Sequence, residues 1–233
     1  MPAGTITAIT MAEQVNTQAL LRLVTWLSPA FPVGAFSYSS GLEQAVHDRV
    51  ITEAEELRLW LETVIGHGSG WNDALLFAES YRAAGDSARL LLVAELAEAL
   101  AGSRERHMET MLQGQAFLAA ARSWPHPVLD AIGETAAYPV AVGAVAGAHE
   151  TGLEPALAAY LNASVSNAVS VAIRCGVIGQ RDGVGVIAAL EPVIAATASK
   201  AAAATLDDLG SATIMADISA LKHETLHSRL FRS

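Results

Sequence analysis

The sequence predicts an all-α protein, in which a single domain of about ten helices spans residues 1–233. Apolar residues recur at intervals of three and four along most of the chain, which is the spacing of an amphipathic helix. Alternating β-branched stretches between turn dipeptides, the usual sign of strands, do not occur. A hydrophobic content of 52% is enough for one large core or two small ones, and no repeat or linker divides the chain. Residues 1–17 are expected to be disordered or frayed.

The predicted helices follow one another through short connections. The first covers residues 19–27 and stops at Pro29 and Pro32, because proline disfavours a helical conformation in the residue before it. Thr52 and Glu55 form a predicted capping box, and the apolar residues after it are spaced as on one face of a helix. A glycine-rich break at residues 66–70 precedes the next helix, and further helices are predicted over residues 88–100, 104–121, 136–149, 155–175, 184–198 and 212–230.

Residues 136–173 carry only two charged side chains, Glu150 and Glu154. Because soluble monomers rarely leave so apolar a surface bare, this tract predicts a buried central helix pair, a homodimer interface, or both. Within it, Gly143 and Gly147 form a Gly-x-x-x-Gly step, which lets two helix backbones approach closely.

A polar stripe is predicted on the next helix, where Asn162, Ser166 and Ser170 are four residues apart. Uncharged amides and hydroxyls inside an otherwise apolar helix need hydrogen-bond partners. The stripe is expected either to pair with neighbouring helices or to line a wet channel. A helical carrier of a small ligand is one function that would use such a stripe.

Composition excludes several functional classes. The formal net charge of −10 disfavours nucleic-acid binding, which needs clustered cations. The apolar tracts are too short or too polar to span a membrane, and no basic cluster flanks them. The only cysteine, Cys175, cannot form an intrachain disulfide and fits a reducing compartment. Since no Lys or Arg precedes Arg22, a targeting signal is not indicated, and the sequence predicts a cytoplasmic protein that binds neither nucleic acid nor membrane.

The clearest catalytic pattern is His223-Glu224-Thr225-Leu226-His227, which matches the His-Glu-x-x-His motif of zinc peptidases. A catalytic zinc usually takes a third protein ligand, and residues 228–233 contain no His, Asp or Glu. A zinc-dependent hydrolase and a weak surface metal site at His223 and His227 are therefore minority interpretations. Nucleotide-binding and nucleophile-elbow motifs are missing, so the chain is not predicted to be an enzyme.

The most unusual segment is residues 28–43, which read Ser-Pro-Ala-Phe-Pro-Val-Gly-Ala-Phe-Ser-Tyr-Ser-Ser-Gly-Leu-Glu. We call it the signature segment. It is too apolar and aromatic for a solvated loop, so Phe31, Val33, Phe36 and Tyr38 are expected to be buried.

The signature segment closely resembles that of the UreF family of urease accessory proteins, with Phe31 in place of the more usual Leu and Ser40 where Gln is frequent. One departure from the family pattern is Val177-Ile178, where many members carry Pro-Leu, and the preceding helix could run one turn further here. Other stretches resemble the same family in the same order, namely residues 138–143, 160–174 with Gly179-Gln180, 206–209 and 223–233.

The resemblance implies an all-α, homodimeric accessory protein without catalytic activity. Members of the family join a second accessory protein, UreD (also called UreH), and the GTPase UreG, and the assembly delivers nickel to the urease apoprotein. UreF bridges the other two proteins and adjusts when UreG hydrolyses GTP. The resemblance also implies that this chain holds no tightly bound cofactor and that the complex as a whole handles nickel.

Two groups of residues are candidate contacts in that complex. In residues 222–233, cations and apolar side chains contrast with an acidic body, which predicts a docking element for UreD with forked arginine hydrogen bonds and an aromatic anchor. Its candidate residues are His223, Arg229, Leu230, Phe231 and Arg232. The alternative is that this stretch packs on its own domain and that Phe231 completes the core. The second group, which would contact UreG or another partner or be structural, comprises Pro32, Gly34, Tyr38, Gly41, Glu43, Arg174 and Gln180.

Overall fold

A computed structural model describes residues 16–233, which form helices joined by short loops and contain no β-strand. The predicted all-α fold is confirmed. The expected disorder of residues 1–17 lies outside the described residues except at its end, where Asn16 accepts a hydrogen bond from the Gln18 amide and caps the first helix. The α-helices are α1 (Thr17–Trp26), α2 (Leu42–His47), α3 (Ala54–His67), α4 (Ser69–Arg82), α5 (Ser87–Ala99), α6 (Arg104–Ala121), α7 (Val128–Ile132), α8 (Tyr138–Ala148), α9 (Leu153–Arg174), α10 (Gln180–Ala203) and α11 (Ile214–His223), and two short 3₁₀ helices cover Ala35–Ser37 and Leu206–Asp208.

Helix α8 is the centre of the core, with every residue from 139 to 146 buried. It packs most closely on α4, because Gly143 and Gly147 bring the two backbones together. A Cβ atom at Gly143 would overlap the carbonyl oxygen of Phe77, and one at Gly147 would overlap that of Tyr81. The predicted close approach at the Gly-x-x-x-Gly step is therefore confirmed, and the chain's own α4 is the partner.

The two longest helices, α9 and α10, pack on each other, and both also contact α3 and α4. By length and composition alone, each could cross a membrane. Core helices of soluble proteins pass the same test, and here 44% of the apolar α9 window and 33% of the α10 window lie buried inside the chain. Most apolar side chains of residues 136–173 are therefore buried within the chain, on α8 and on the inner face of α9.

The predicted capping box is wrong in its acidic partner. Helix α3 begins at Ala54, and the Thr52 backbone N–H and hydroxyl both donate to Glu56, each at 2.7 Å. Glu55 instead forms an ion pair with Arg58 at 2.7 Å. The shift by one residue follows from the helix starting one residue later than the motif assumes.

One departure that the sequence left open does not occur, and one predicted helix end is wrong. Helix α9 ends at Arg174, and Gly176 with φ +76° turns the chain, so the additional helical turn through residues 177–178 does not form. Helix α11 ends at His223 and does not continue to residue 230. The residues after it, 224–233, which we call the tail, run back across the signature segment.

Candidate functional site

The signature segment and the tail are joined along a polar contact that we call the seam. The Ser39 amide donates to the Ser233 carbonyl at 2.8 Å, and the Arg232 amide donates to the Ser37 carbonyl at 2.8 Å. The Ser39 hydroxyl also donates to the Ser233 carbonyl. The two stretches that carried the strongest sequence patterns, almost 200 residues apart, therefore form one structural unit.

Glu43 is the central acceptor of the seam. One carboxylate oxygen accepts the Leu230 amide at 2.6 Å, and the other accepts the Phe231 amide at 3.1 Å. The second oxygen also lies 3.0 Å from Nε2 of His223. Glu43 is only 7% exposed, so these donors replace the water that the carboxylate loses on burial. Gly41, with φ +82°, begins α2 and lies against the Ala220 backbone, where a Cβ atom would overlap.

His223 is fully buried between two carboxylates. Its Nδ1 lies 2.7 Å from Glu105 on the side opposite Glu43, and Glu105 also accepts a hydrogen bond from Arg229. Both ring nitrogens of His223 therefore have a carboxylate oxygen within hydrogen-bond distance. The seam therefore pairs Glu43 and Glu105 with His223 and Arg229.

The arrangement of His223 and His227 does not match a zinc pair on one helix face. His227 is exposed and lies beyond the end of α11, so the two histidines are not one helical turn apart. Both ring nitrogens of His223 already face carboxylates of this chain. Among residues 16–233, no group of three or more His, Cys, Asp or Glu side chains is arranged to hold a metal ion.

A second, partly buried cluster continues the seam toward α4 and α9. Glu109 accepts hydrogen bonds from the hydroxyls of Ser40 at 2.9 Å and Ser233 at 2.8 Å. Arg106 lies between Asp73, at 2.5 Å, and Glu109, at 3.2 Å, and the negative charge of Asp73 raises the pKa of Arg106 above its ordinary value. The cluster fixes the tail end at Ser233 to helix α6.

Phe231 has a place in the chain's own core. It is 3% exposed, and the Arg174 guanidinium lies over its ring at 4.2 Å from the ring centre. Arg174 also donates to the Phe36 carbonyl, so it connects the end of α9 to both the signature segment and the tail. This is the alternative in which Phe231 completes the core, and it leaves Phe231 unavailable as an anchor for a partner in this conformation.

The other predicted residues have different positions around the seam. Tyr38 is buried, and its carbonyl accepts a hydrogen bond from Asn167 at 3.4 Å, whereas Pro32 is exposed. Gly34 has φ +71°, and a Cβ atom there would meet nothing within 4 Å. Gln180 is exposed at the start of α10 and takes no part in the hydrogen bonds that join the described signature segment and tail.

The prediction that Phe36 is buried is wrong. Its side chain is 67% exposed, whereas Phe31, Val33 and Tyr38 are buried as expected. The 3₁₀ turn at Ala35–Ser37 follows the left-handed Gly34 and points this one aromatic ring outward. Together with Leu230, which is 62% exposed, it leaves two large apolar side chains on the surface beside the seam.

A groove of about 760 Å³ runs beside the signature segment. Its walls include residues of α1, α3, α6, α9 and α11, and Phe36 lies at its edge. The polar stripe lies here: Asn162 and Ser170 are exposed, Ser166 is half-buried, and all three line the groove. The expectation that the stripe lines a wet space therefore agrees with the structure better than pairing inside the core.

The sequence indicated Glu43 but not the two glutamates that α6 contributes to the seam. Glu105 and Glu109 are one turn apart on α6 and are both buried, at 6% and 4% exposure. Their spacing alone does not indicate burial, because glutamates are mostly exposed and are buried only when they are paired. Their partners His223, Arg229 and Ser233 are more than 100 residues away in sequence.

Comparison with known proteins gives one consistent family. The sequence model of the UreF family matches residues 51–191, more than half of the chain. A protein of Sinorhizobium medicae named urease accessory protein UreF is 71% identical over 223 residues, covering 96% of this chain and the whole of the relative. A protein of the same name from Rhizobium meliloti is also 71% identical over 223 residues, and one from Brucella ovis is 58% identical over 228 residues, covering 98% of this chain and all of the relative.

Proposed function

The chain belongs to the UreF family of urease accessory proteins, and from that we propose that it is a non-catalytic scaffold in urease maturation. In this proposal it bridges UreD (UreH) and the GTPase UreG while nickel is inserted into the urease apoprotein, and it modulates GTP hydrolysis by UreG. Nickel is handled by the complex, and this chain holds no tightly bound cofactor. The complex would act in the cytoplasm.

The observation that supports this most is the surface next to the seam. Phe36, Leu230 and Arg232 are exposed. Each is next in sequence to a residue that the hydrogen bonds of the seam hold in place. Aromatic and arginine side chains are enriched in protein-binding surfaces, and Leu230 adds apolar area beside them. A catalytic role would need a reactive group, whereas the titratable side chains of the seam are occupied with one another.

A homodimer remains part of the proposal, but the structure changes the surface that could form it. Since α8 is buried within the chain, it cannot supply the interface. Exposed apolar side chains are found instead on α11, where Ile214 is 70%, Met215 56% and Leu221 52% exposed, and on α1. An interface on these helices would still meet the apolar character that stable homodimers need.

The proposal is tested by co-purification of the chain with its cognate UreD and UreG, with and without GTP. We expect one complex containing all three proteins, and we expect the GTP hydrolysis rate of UreG to differ between free UreG and the complex. Urease co-expressed with all accessory proteins except this chain should contain little nickel. Full nickel loading of urease without this chain would contradict the proposal.

The groove supports a second candidate, a carrier of a small ligand. Its volume of about 760 Å³ and its mixed apolar and amide or hydroxyl lining are within the usual range of ligand sites. Native mass spectrometry of the protein purified from its host distinguishes the two candidates. A stoichiometric bound small molecule would favour the carrier, and its absence, with the three-protein complex formed, would favour the scaffold.

A further inference from the structure

Three arginines surround a small concave pocket beside the seam. Arg104 from the first turn of α6 and Arg229 and Arg232 from the tail line a cavity of about 300 Å³, with Met108 and Phe231 among its walls. We propose that this three-arginine pocket binds a carboxylate side chain on an acidic segment of a partner protein. The inference rests on the proposed scaffold function and deepens it, because it brings Arg104 together with Arg229 and Arg232 in one pocket.

The pocket keeps uncompensated positive charge. Residues 16–233 provide no carboxylate within 4.0 Å of the Arg104 or Arg232 side chains, whereas Arg229 pairs with Glu105. Glu105 is the one acidic residue in the lining, and its two oxygens already meet Arg229 and His223. Two guanidinium groups therefore face the cavity unneutralised in a chain whose net charge is −10.

A further carboxylate stands close to the pocket but is already engaged. One oxygen of Glu224 accepts the backbone amides of Arg104 at 2.8 Å and Glu105 at 3.3 Å, so it supplements the Ser103 cap of α6. The amide donors at this helix end are thus satisfied by the chain itself. A ligand in the pocket would therefore contact the arginine side chains and not the backbone amides at the start of α6.

The backbone that carries the arginines is fixed on both sides of the pocket. Arg104 begins a helix with a capped first turn, and Arg232 donates its amide to Ser37 next to the buried Phe231. Guanidinium groups bind carboxylates through two parallel hydrogen bonds, and pre-ordered attachment points lower the entropy lost on binding. The Arg104 and Arg232 side chains are exposed and remain to be ordered by a ligand.

The size and walls of the pocket indicate an amino-acid side chain. A volume of about 300 Å³ is at the small end of ligand sites, too small for a long polyanion to enter. The Met108 and Phe231 walls give apolar contact to the methylene groups of a glutamate or aspartate. Nucleic acid is disfavoured because the surrounding body is strongly acidic. A carboxylate side chain of a partner protein fits the small volume, the apolar walls and the arginine side chains of the pocket.

The direct test uses an acetylated hexaglutamate amide as the probe and titration calorimetry at low ionic strength. The variants are Arg104→Gln, Arg232→Gln and the double substitution, with Arg181→Gln as the control, since Arg181 is exposed on α10 and loses the same charge. These substitutions break no ion pair of the described chain, so the fold should be retained. Circular dichroism and melting temperature equal to those of the Arg181→Gln variant check this.

We expect each single substitution at the pocket to weaken peptide binding by roughly fivefold and the double substitution by roughly 25-fold, with affinity falling as salt rises. The control should bind like the wild type. Equal binding by wild type and double variant would overturn the proposal. Inorganic phosphate is titrated in parallel, and a protein that binds phosphate at the pocket but not the peptide would show a small-anion site and would equally overturn it.

Capture of the cognate partners separates this proposal from the scaffold function. Both proposals are supported if the wild type captures UreD and UreG and the complex of the double variant dissociates at a lower salt concentration than the wild-type complex. If both proteins capture them equally, the pocket proposal fails and the scaffold function stands. If the wild type captures neither partner, the scaffold function fails. The pocket proposal then fails as well, because no partner protein supplies the carboxylate, even if the pocket binds the peptide.

Discussion

Replacing Glu43 by glutamine tests whether the seam holds the tail in place. The carboxylate accepts two backbone amides and faces His223, and glutamine keeps the shape but only one acceptor oxygen. At least one buried amide then loses its acceptor, which costs about 1–3 kcal/mol. Weakening the hydrogen bond between the Glu43 carboxylate and His223 adds to this cost, because a hydrogen bond to a charged group contributes about 1.5–3 kcal/mol. Because Glu43 is 7% exposed, solvent screening reduces these values little.

The substitution acts mainly on the tail, which limits its effect on the free energy of global unfolding. If the tail can detach while the rest of the chain stays folded, Glu43→Gln will show mainly as local opening, since segments with few buried contacts open first. We therefore expect a fall of about 2–4 kcal/mol in the free energy of tail opening and a smaller fall in that of global unfolding.

Limited trypsin digestion measures the opening. Cleavage after Arg229 requires the tail to leave the seam, so the variant should be cut roughly 30-fold to several hundred-fold faster than the wild type. Urea unfolding followed by circular dichroism gives the global stability of the same samples. Glu95→Gln, an exposed glutamate on α5, is the matched control and should behave like the wild type. A Glu43→Gln protein with unchanged cleavage rate and unchanged urea midpoint would refute the reasoning.

Three further predictions follow from the core, the tail and the free thiol. Gly143→Ala should destabilise the protein by about 1–3 kcal/mol in urea unfolding because its methyl group overlaps a backbone carbonyl, whereas Gly185→Ala, in open space on α10, should stabilise it by about 0.5–1 kcal/mol; equal midpoints would contradict the close packing of α4 and α8. Phe231→Ala should cost about 3–5 kcal/mol and accelerate tail cleavage, while Leu230→Ala should leave folding nearly unchanged, and the reverse order would place Leu230 in the core. Burial raises the pKa of Cys175 to about 11, so alkylation by iodoacetamide should be slow at pH 8 and rise with pH toward 11, and a rate that levels off near pH 9, as for a free thiol, would contradict the burial.

The regular part of the fold follows closely from local sequence. Helix α6 has the predicted bounds, residues 104–121, because Ser103 caps its start through a hydrogen bond from the Arg106 amide and prolines follow its end. Helix α8 is short by two residues at the start and one at the end, which is the usual uncertainty of helix ends. These elements depend on contacts within a few residues of themselves.

The tail could not be predicted in this way. Leu226 and Leu230 are four residues apart, which locally favours a longer α11. In the folded chain, Glu43 accepts the amides of Leu230 and Phe231, and a helix would have paired those amides with carbonyls four residues earlier. The competing acceptor lies 187 residues away, so no local pattern indicates it. The prediction for Phe36 is wrong for a similar reason, because the 3₁₀ turn at Ala35–Ser37, and not the hydrophobicity of the side chain, decides where its ring points.

Polar contacts in the seam fix the register of the tail, which an apolar seam of equal area would do less well. A buried ion pair is weak evidence of added stability, and specifying one arrangement is its best-attested use. Here the tail amides meet fixed acceptors: Phe231 donates to Glu43, and Arg232 donates to the Ser37 carbonyl. A slip of the tail by one residue would bury Arg232 in place of Phe231 and expose the aromatic ring. The observed register instead places Arg229 and Arg232 together next to Arg104 on α6. The buried carboxylates of the seam thus determine where the surface arginines stand, and loosening the seam should weaken any contact made through that pocket even though Glu43 itself never touches it.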